Sequence, residues 1–158
     1  VRSVDPAYDD AVKLLARRDM SRRALTERLA AKGHGTGAID EALLRLTRGG
    51  ALDDAAYARR FIVSRGAARG RDRILAELAS RGVAGEVAAR AWADAAEGGA
   101  RDDAAALAQA VRRRLGAPPG KADRARVARV YNALLSEGFE PASVASALVP
   151  YGLRGYEE

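Results

Sequence analysis

Apolar positions along this chain recur at helical spacing, and one pattern of them occurs three times. The segments Leu29-Ala30-Ala31-Lys32-Gly33, Leu78-Ala79-Ser80-Arg81-Gly82 and Leu134-Leu135-Ser136-Glu137-Gly138 each carry an apolar residue four positions before the leucine: Leu25, Ile74 and Val130. An i, i+4 apolar pair marks the buried face of a helix. A glycine four residues after the leucine suits the left-handed turn that closes one, where a Cβ would clash. A β-branched residue follows each glycine inside the next helix, at Ile39, Val87 and Val144. The unit recurs at intervals of about fifty residues, which predicts a tandem array of helical modules. Arrays of this kind bind large partners along an extended surface.

The pattern divides the chain into three modules of three helices, over residues 5–50, 51–97 and 100–151. In the first, Asp5-Pro6 reads as N-cap and first helical residue. Ala11, Leu14 and Leu15 form the buried stripe of that helix. Ser21 caps a second helix, with Met20 placed to staple onto Leu25. A third starts near Thr36, buries Ile39, Leu43 and Leu46, and stops at Gly49-Gly50. In the second module Asp53 reads as a cap, and Leu52 as a staple onto Tyr57. Phe61 and Ile62 continue that apolar face, and Gly66 and Gly70 bracket a break. A helix from about Arg71 to Arg81 follows, and then one carrying Val87, Ala91 and Trp92. In the third, Leu107, Val111 and Leu115 define one helix and Val127, Val130, Tyr131, Leu134 and Leu135 another. Phe139 is placed to staple onto Val144, and a short last helix stops at Pro150. Almost nothing alternates with period two. The expected fold is all-α: three three-helix repeats forming an elongated, curved molecule.

Composition sharpens this picture. Alanine supplies 37 of the 158 residues and is the strongest helix former. No cysteine is present, which excludes disulfides and cysteine-ligated zinc. No run of eighteen apolar residues occurs, so no membrane span is expected. The opening Val1-Arg2-Ser3-Val4 lacks the apolar core of a secretion signal, which makes the cytoplasm the expected compartment. The net charge is +6, which points to an anionic partner, nucleic acid or an acidic protein surface. A compositional bias toward arginine offers a simpler source for the preference of Arg over Lys.

At this point the chain resembles the RecX family of bacterial recombination regulators. The resemblance is carried by Ser21 to Leu25 with Leu29 and Lys32-Gly33, by Leu52-Asp53-Asp54 followed by Tyr57-Ala58-Arg59, by Gly70, Ile74, Leu78 and Arg81-Gly82-Val83, and by Leu134 with Gly138-Phe139 and Val144. It spans roughly residues 5 to 150. It implies a modulator of the RecA recombinase that lodges in the groove of the RecA filament on DNA and restrains its ATPase, strand-exchange and coprotease activities, and with them recombinational DNA repair and the SOS response. It implies no catalytic residue and no cofactor. The expected partners are the RecA filament and single- and double-stranded DNA, met directly or through the filament, by a monomer.

The residues themselves give little support to enzymatic chemistry. The single histidine, His34, follows Gly33 with no carboxylate at metal-ligand spacing, and reads as a solvated turn residue. Asp53-Asp54 reads as helix capping rather than a metal pair, because adjacent helical residues diverge by about 100°. Trp92 and Tyr131 read as core rings rather than base-stacking platforms. The candidate contacts are arginines. Arg59, Arg60, Arg65, Arg69, Arg71 and Arg73 face a single acid within their own stretch, Asp72, and read as a contact surface that local acids do not neutralise. Arg112, Arg113 and Arg114 stand across a proline loop from Lys121, Arg124, Arg126 and Arg129. That second group reads equally as a contact surface and as a solvated face. A direct DNA-binding helical repeat, whose effect on recombination is secondary, is the alternative function.

Overall fold

The computed structural model describes residues 5–65, 68–118 and 122–153. Among these it contains nine α-helices and no strand. They are α1 (Pro6–Arg17), α2 (Arg22–Ala31), α3 (Thr36–Arg48), α4 (Asp54–Ser64), α5 (Arg71–Ser80), α6 (Gly85–Glu97), α7 (Asp103–Leu115), α8 (Arg124–Ser136) and α9 (Pro141–Leu148), followed by a single 3-10 turn, Val149–Tyr151.

Polar side chains start six of these helices. The first N–H groups of a helix have no intrahelical acceptor, and a carboxylate or hydroxyl at the N-cap supplies one. Asp5 accepts from Ala7 and Tyr8, both at 3.2 Å. Ser21 accepts from Ala24 at 3.2 Å, Asp53 from Ala55 and Ala56 at 2.8 and 3.0 Å, and Asp102 from Ala105 at 2.9 Å. Asp123 caps α8 and Glu140 caps α9 in the same way.

The threefold ending closes three helices alike. Gly33, Gly82 and Gly138 have φ of +89°, +82° and +83°. Each glycine N–H donates to the carbonyl three residues back, Ala30, Ala79 and Leu135, at 2.9 Å. The next N–H, from His34, Val83 or Phe139, donates to the leucine carbonyl of Leu29, Leu78 or Leu134 at 3.1–3.3 Å. This bond pair is the Schellman closure, which satisfies carbonyls that the helix itself leaves open. The three leucines and Val144 are fully buried and Ile39 nearly so, whereas Val87 is only half-buried and Ala88 takes the inward position on α6.

The chain forms two compact units, each built from two separate stretches of sequence. One comprises Val1–Phe61 with Leu78–Ala91, the other Ile62–Glu77 with Trp92–Glu158. In the first unit Met20, Leu25, Leu29, Ile39, Leu43, Leu46 and Leu52 make the core. Ser21 Oγ there donates to the Arg81 carbonyl, the Arg23 stem lies against Gly82, and the Arg81 guanidinium stacks 4.6 Å from the Phe61 ring centroid. These contacts fix the start of α2 against the end of α5. In the second unit Leu107, Val111, Val127, Val130, Leu134, Phe139, Val144 and Leu148 make the core. Burying each such side chain contributes about 1.5–3 kcal/mol over leaving it exposed. The Gly70 N–H donates to the Glu137 carbonyl at 2.8 Å, and the Asp72 N–H to the Gly138 carbonyl at 3.2 Å. Gly70 therefore starts α5 against the closing turn of α8. A Cβ on either Gly70 or Gly138 would collide with the opposing segment.

Candidate interaction surface

The paired aspartates at the start of α4 are structural. Asp53 caps its own helix. The backbone N–H of Ala56, followed by that of Ala55 and the nearby charges of Arg59 and Arg60, holds its carboxyl below the ordinary range against the opposing pull of desolvation. Asp54 reaches the start of another helix and accepts from the Arg22 N–H at 2.7 Å, while the Arg22 guanidinium donates to Thr47 Oγ1 at 2.9 Å. The two adjacent carboxylates thus diverge to serve α4 and α2.

The first arginine group divides between the units. Arg59 and Arg60 lie exposed on α4 in the first. Arg60 is held by Asp19, with N–O distances of 2.6 Å. Arg65, Arg69, Arg71 and Arg73 belong to the second. Three of these converge on one acid: Arg65 Nε lies 3.6 Å and Arg73 Nε 3.5 Å from the Glu77 carboxylate, and Arg69 pairs with it directly. Arg71 lies 3.5 Å from Asp72. The stretch thus meets Asp19 and Glu77, from outside its own run, besides Asp72, and its arginines still outnumber these three acids. Glu77 lies just past the arginine run, one helical turn after Arg73, and that i, i+4 spacing was its signal in the sequence.

In the second group, Arg112 and Arg113 are exposed in the last turn of α7, where cations complement the helix dipole. Arg114 is half-buried, pairs with Glu137 and donates to the Ala110 carbonyl at 3.0 Å. Arg124, Arg126 and Arg129 are exposed on α8, and Arg126 donates to the Arg114 carbonyl at 2.6 Å. Lys121 lies outside the described residues.

Three residues have roles the sequence did not disclose. Arg101 is buried, donates to the Arg69 carbonyl and to Asp103, and lies 5.1 Å over the Trp92 ring. Trp92 is accordingly a buried packing ring, and Tyr131 is half-buried against the second core. The Tyr151 hydroxyl donates to the Gly116 carbonyl at 2.7 Å. His34 is not a solvated turn residue: its Nε2 lies 3.0 Å from Asp10, which Lys32 also approaches at 3.3 Å. The His34 hydrogen bond, then Lys32, lowers the Asp10 pKa. Only the fold places residues 24 positions apart in contact.

Among the described residues no group of three or more His, Asp or Glu side chains is placed to hold a metal ion, and no helix is long and apolar enough to cross a membrane. The class these features define is an all-α helical-repeat protein with a basic surface. Its fold matches the crystal structure of RecX from Lactobacillus salivarius with a TM-score of 0.73 over 94% of this chain and 96% of that one, at 18% identity, a likeness of fold alone. Residues 7–46 match the RecX first three-helix domain. The chain is 40% identical over 141 residues to the regulatory protein RecX of Chromohalobacter salexigens, covering 89% of each chain. To that of Halorhodospira halophila it is 37% identical over 140 residues, 88% of this chain and 84% of the other. The chain belongs to the RecX family of regulatory proteins.

Proposed function

We propose that this chain is a non-enzymatic regulator that binds RecA recombinase filaments on DNA and inhibits their ATPase, strand-exchange and coprotease activities, acting in the cytoplasm as a monomer. The observation that carries this reading is the match to regulatory relatives along nearly the whole length of both chains. Residues 5–50, 51–97 and 100–151 serve as its three repeats, and exposed arginines meet acidic protein surface or phosphate. Occupying the filament groove would hinder a second DNA strand and LexA-like repressors.

The test compares binding to RecA filaments with binding to bare single-stranded DNA at the same salt. Tighter binding to filaments is expected. Joint replacement of Arg59, Arg69, Arg71 and Arg73 by alanine should weaken filament inhibition with helicity retained. Inhibition equal to wild type would move the contact surface to Arg112, Arg113, Arg124 and Arg129. The net charge of +6 favours a second reading, direct nucleic-acid binding, under which bare DNA binds as tightly as the filament. Each lost phosphate contact then lowers the slope of log affinity against log salt by about 0.7 on a single strand.

A further inference from the structure

We infer that Arg65, Arg69 and Arg73, gathered on Glu77, form a binding site for one phosphodiester group of a nucleic-acid strand, with Glu77 positioning the three guanidiniums. This deepens the reading above, since it assigns a ligand to part of the same basic surface. Among the described contacts, three guanidiniums share one carboxylate. The Glu77 side chain is only 15% exposed, whereas those of Arg65, Arg69 and Arg73 are 37%, 38% and 54% exposed. The carboxylate is therefore the more buried partner, and each arginine side chain keeps part of its surface exposed. Each guanidinium carries about five N–H donors and a carboxylate offers about four acceptor sites, so Glu77 cannot engage the donors of all three. Without an anion among them the three would repel and splay. With it they are held together before a ligand arrives, which removes the ordering cost from binding.

The site is also fixed from behind. The Arg69 carbonyl accepts from the buried Arg101. Arg73 stands in the first turn of α5, whose Gly70 and Asp72 N–H groups are bonded to Glu137 and Gly138. Guanidinium forks match the oxygens of a phosphodiester. The exposed Arg71 beside the trio, and Arg112, Arg113, Arg124 and Arg129 in the same unit, suit a ligand of repeating charge better than a single carboxylate.

The sign of one substitution separates a built site from a diffuse basic field. Glu77→Gln and Asp72→Asn each raise the net charge by one. A diffuse field tightens polyanion binding in both. A site organised by Glu77 tightens it, or leaves it unchanged, only in Asp72→Asn. The measurement is anisotropy of a labelled oligothymidylate titrated with the full chain across a salt series, with helicity recorded for each variant. Loss of one charge-assisted contact makes E77Q bind about tenfold more weakly than wild type. The triple variant Arg65→Lys, Arg69→Lys, Arg73→Lys keeps the charge but loses the forks, and should also bind more weakly. Should E77Q not fold, this triple variant decides.

An E77Q protein that binds as tightly as D72N, or a triple lysine variant equal to wild type, would overturn the site. If E77Q leaves the oligothymidylate unaffected but weakens binding to RecA filaments, the ligand is acidic protein and the phosphodiester assignment is wrong. Absence of filament binding alongside the expected oligothymidylate result would sink the regulatory proposal and leave this site standing.

Discussion

Gly33, Gly82 and Gly138 share a backbone conformation but not their surroundings. A Cβ at Gly33 meets nothing within 4 Å, one at Gly82 meets the flexible Arg23 stem, and one at Gly138 meets the Arg73 backbone. Every alanine there carries the left-handed penalty of about 1–2 kcal/mol. Gly138→Ala meets backbone rather than a side-chain stem and forces the larger shift, which adds about 1–3 kcal/mol as overpacking does. Denaturant melts should rank the losses Gly33→Ala below Gly82→Ala below Gly138→Ala. Equal losses would mean that conformation alone sets the cost. Asp53 gives a second residue-scale expectation. Removing its cap with Asp53→Ala should cost about 1 kcal/mol at neutral pH. Its folded pKa lies below the unfolded value, so the stabilisation is complete above the ordinary value near about 3.9 and is lost as pH falls through the lowered one. The gap between wild type and variant should therefore narrow in acid; a gap constant down to acid pH would argue against an ionised cap.

At the scale of elements, helix ends were legible and their meetings were not. Asp5, Ser21 and Asp53 announce helix starts because a cap is local chemistry, and the three closing glycines announce ends for the same reason. Gly70 looked like a break in the chain. It is the start of α5, set against the closing turn of α8 by bonds from Gly70 to Glu137 and from Asp72 to Gly138, and no local pattern encodes so long a reach. Glu77 is hidden for a milder reason: it lies outside the arginine run, one helical turn past Arg73. His34 finds Asp10, and Arg101 the Arg69 carbonyl, only through the fold. Ser21 shows how a legible cap can hide a long-range role. Its hydroxyl both caps α2 and donates to the Arg81 carbonyl. Ser21→Ala should then cost about 2–3 kcal/mol, the cap plus a carbonyl left without this donor. Thermal melts showing a loss no larger than that of Asp53→Ala would reduce Ser21 to its local role.

For the whole molecule, the informative feature is that neither unit is one stretch of chain. Residues 62–77 belong with 92–158 although residues 78–91 belong elsewhere. A fragment ending at residue 97 keeps the Gly70 and Asp72 amides but lacks Glu137 and Gly138, their acceptors in the intact chain. Hydrogen exchange should show these two amides protected in the full protein and fast in the fragment. Unchanged protection would show that the segment is stable without its distant partner.

The same feature sets an order of events during synthesis. Gly70 leaves the ribosome well before Gly138, its partner across the α5 start. At a translation rate of roughly 5–20 residues per second, the intervening stretch takes about 3–14 s to make. Through that interval the nascent arginines around Glu77 have no α8 turn to anchor them, while the Leu29 closure is complete within its own helix. That closure can settle as it emerges. The basic segment reaches its final setting only after the chain has been made through Gly138.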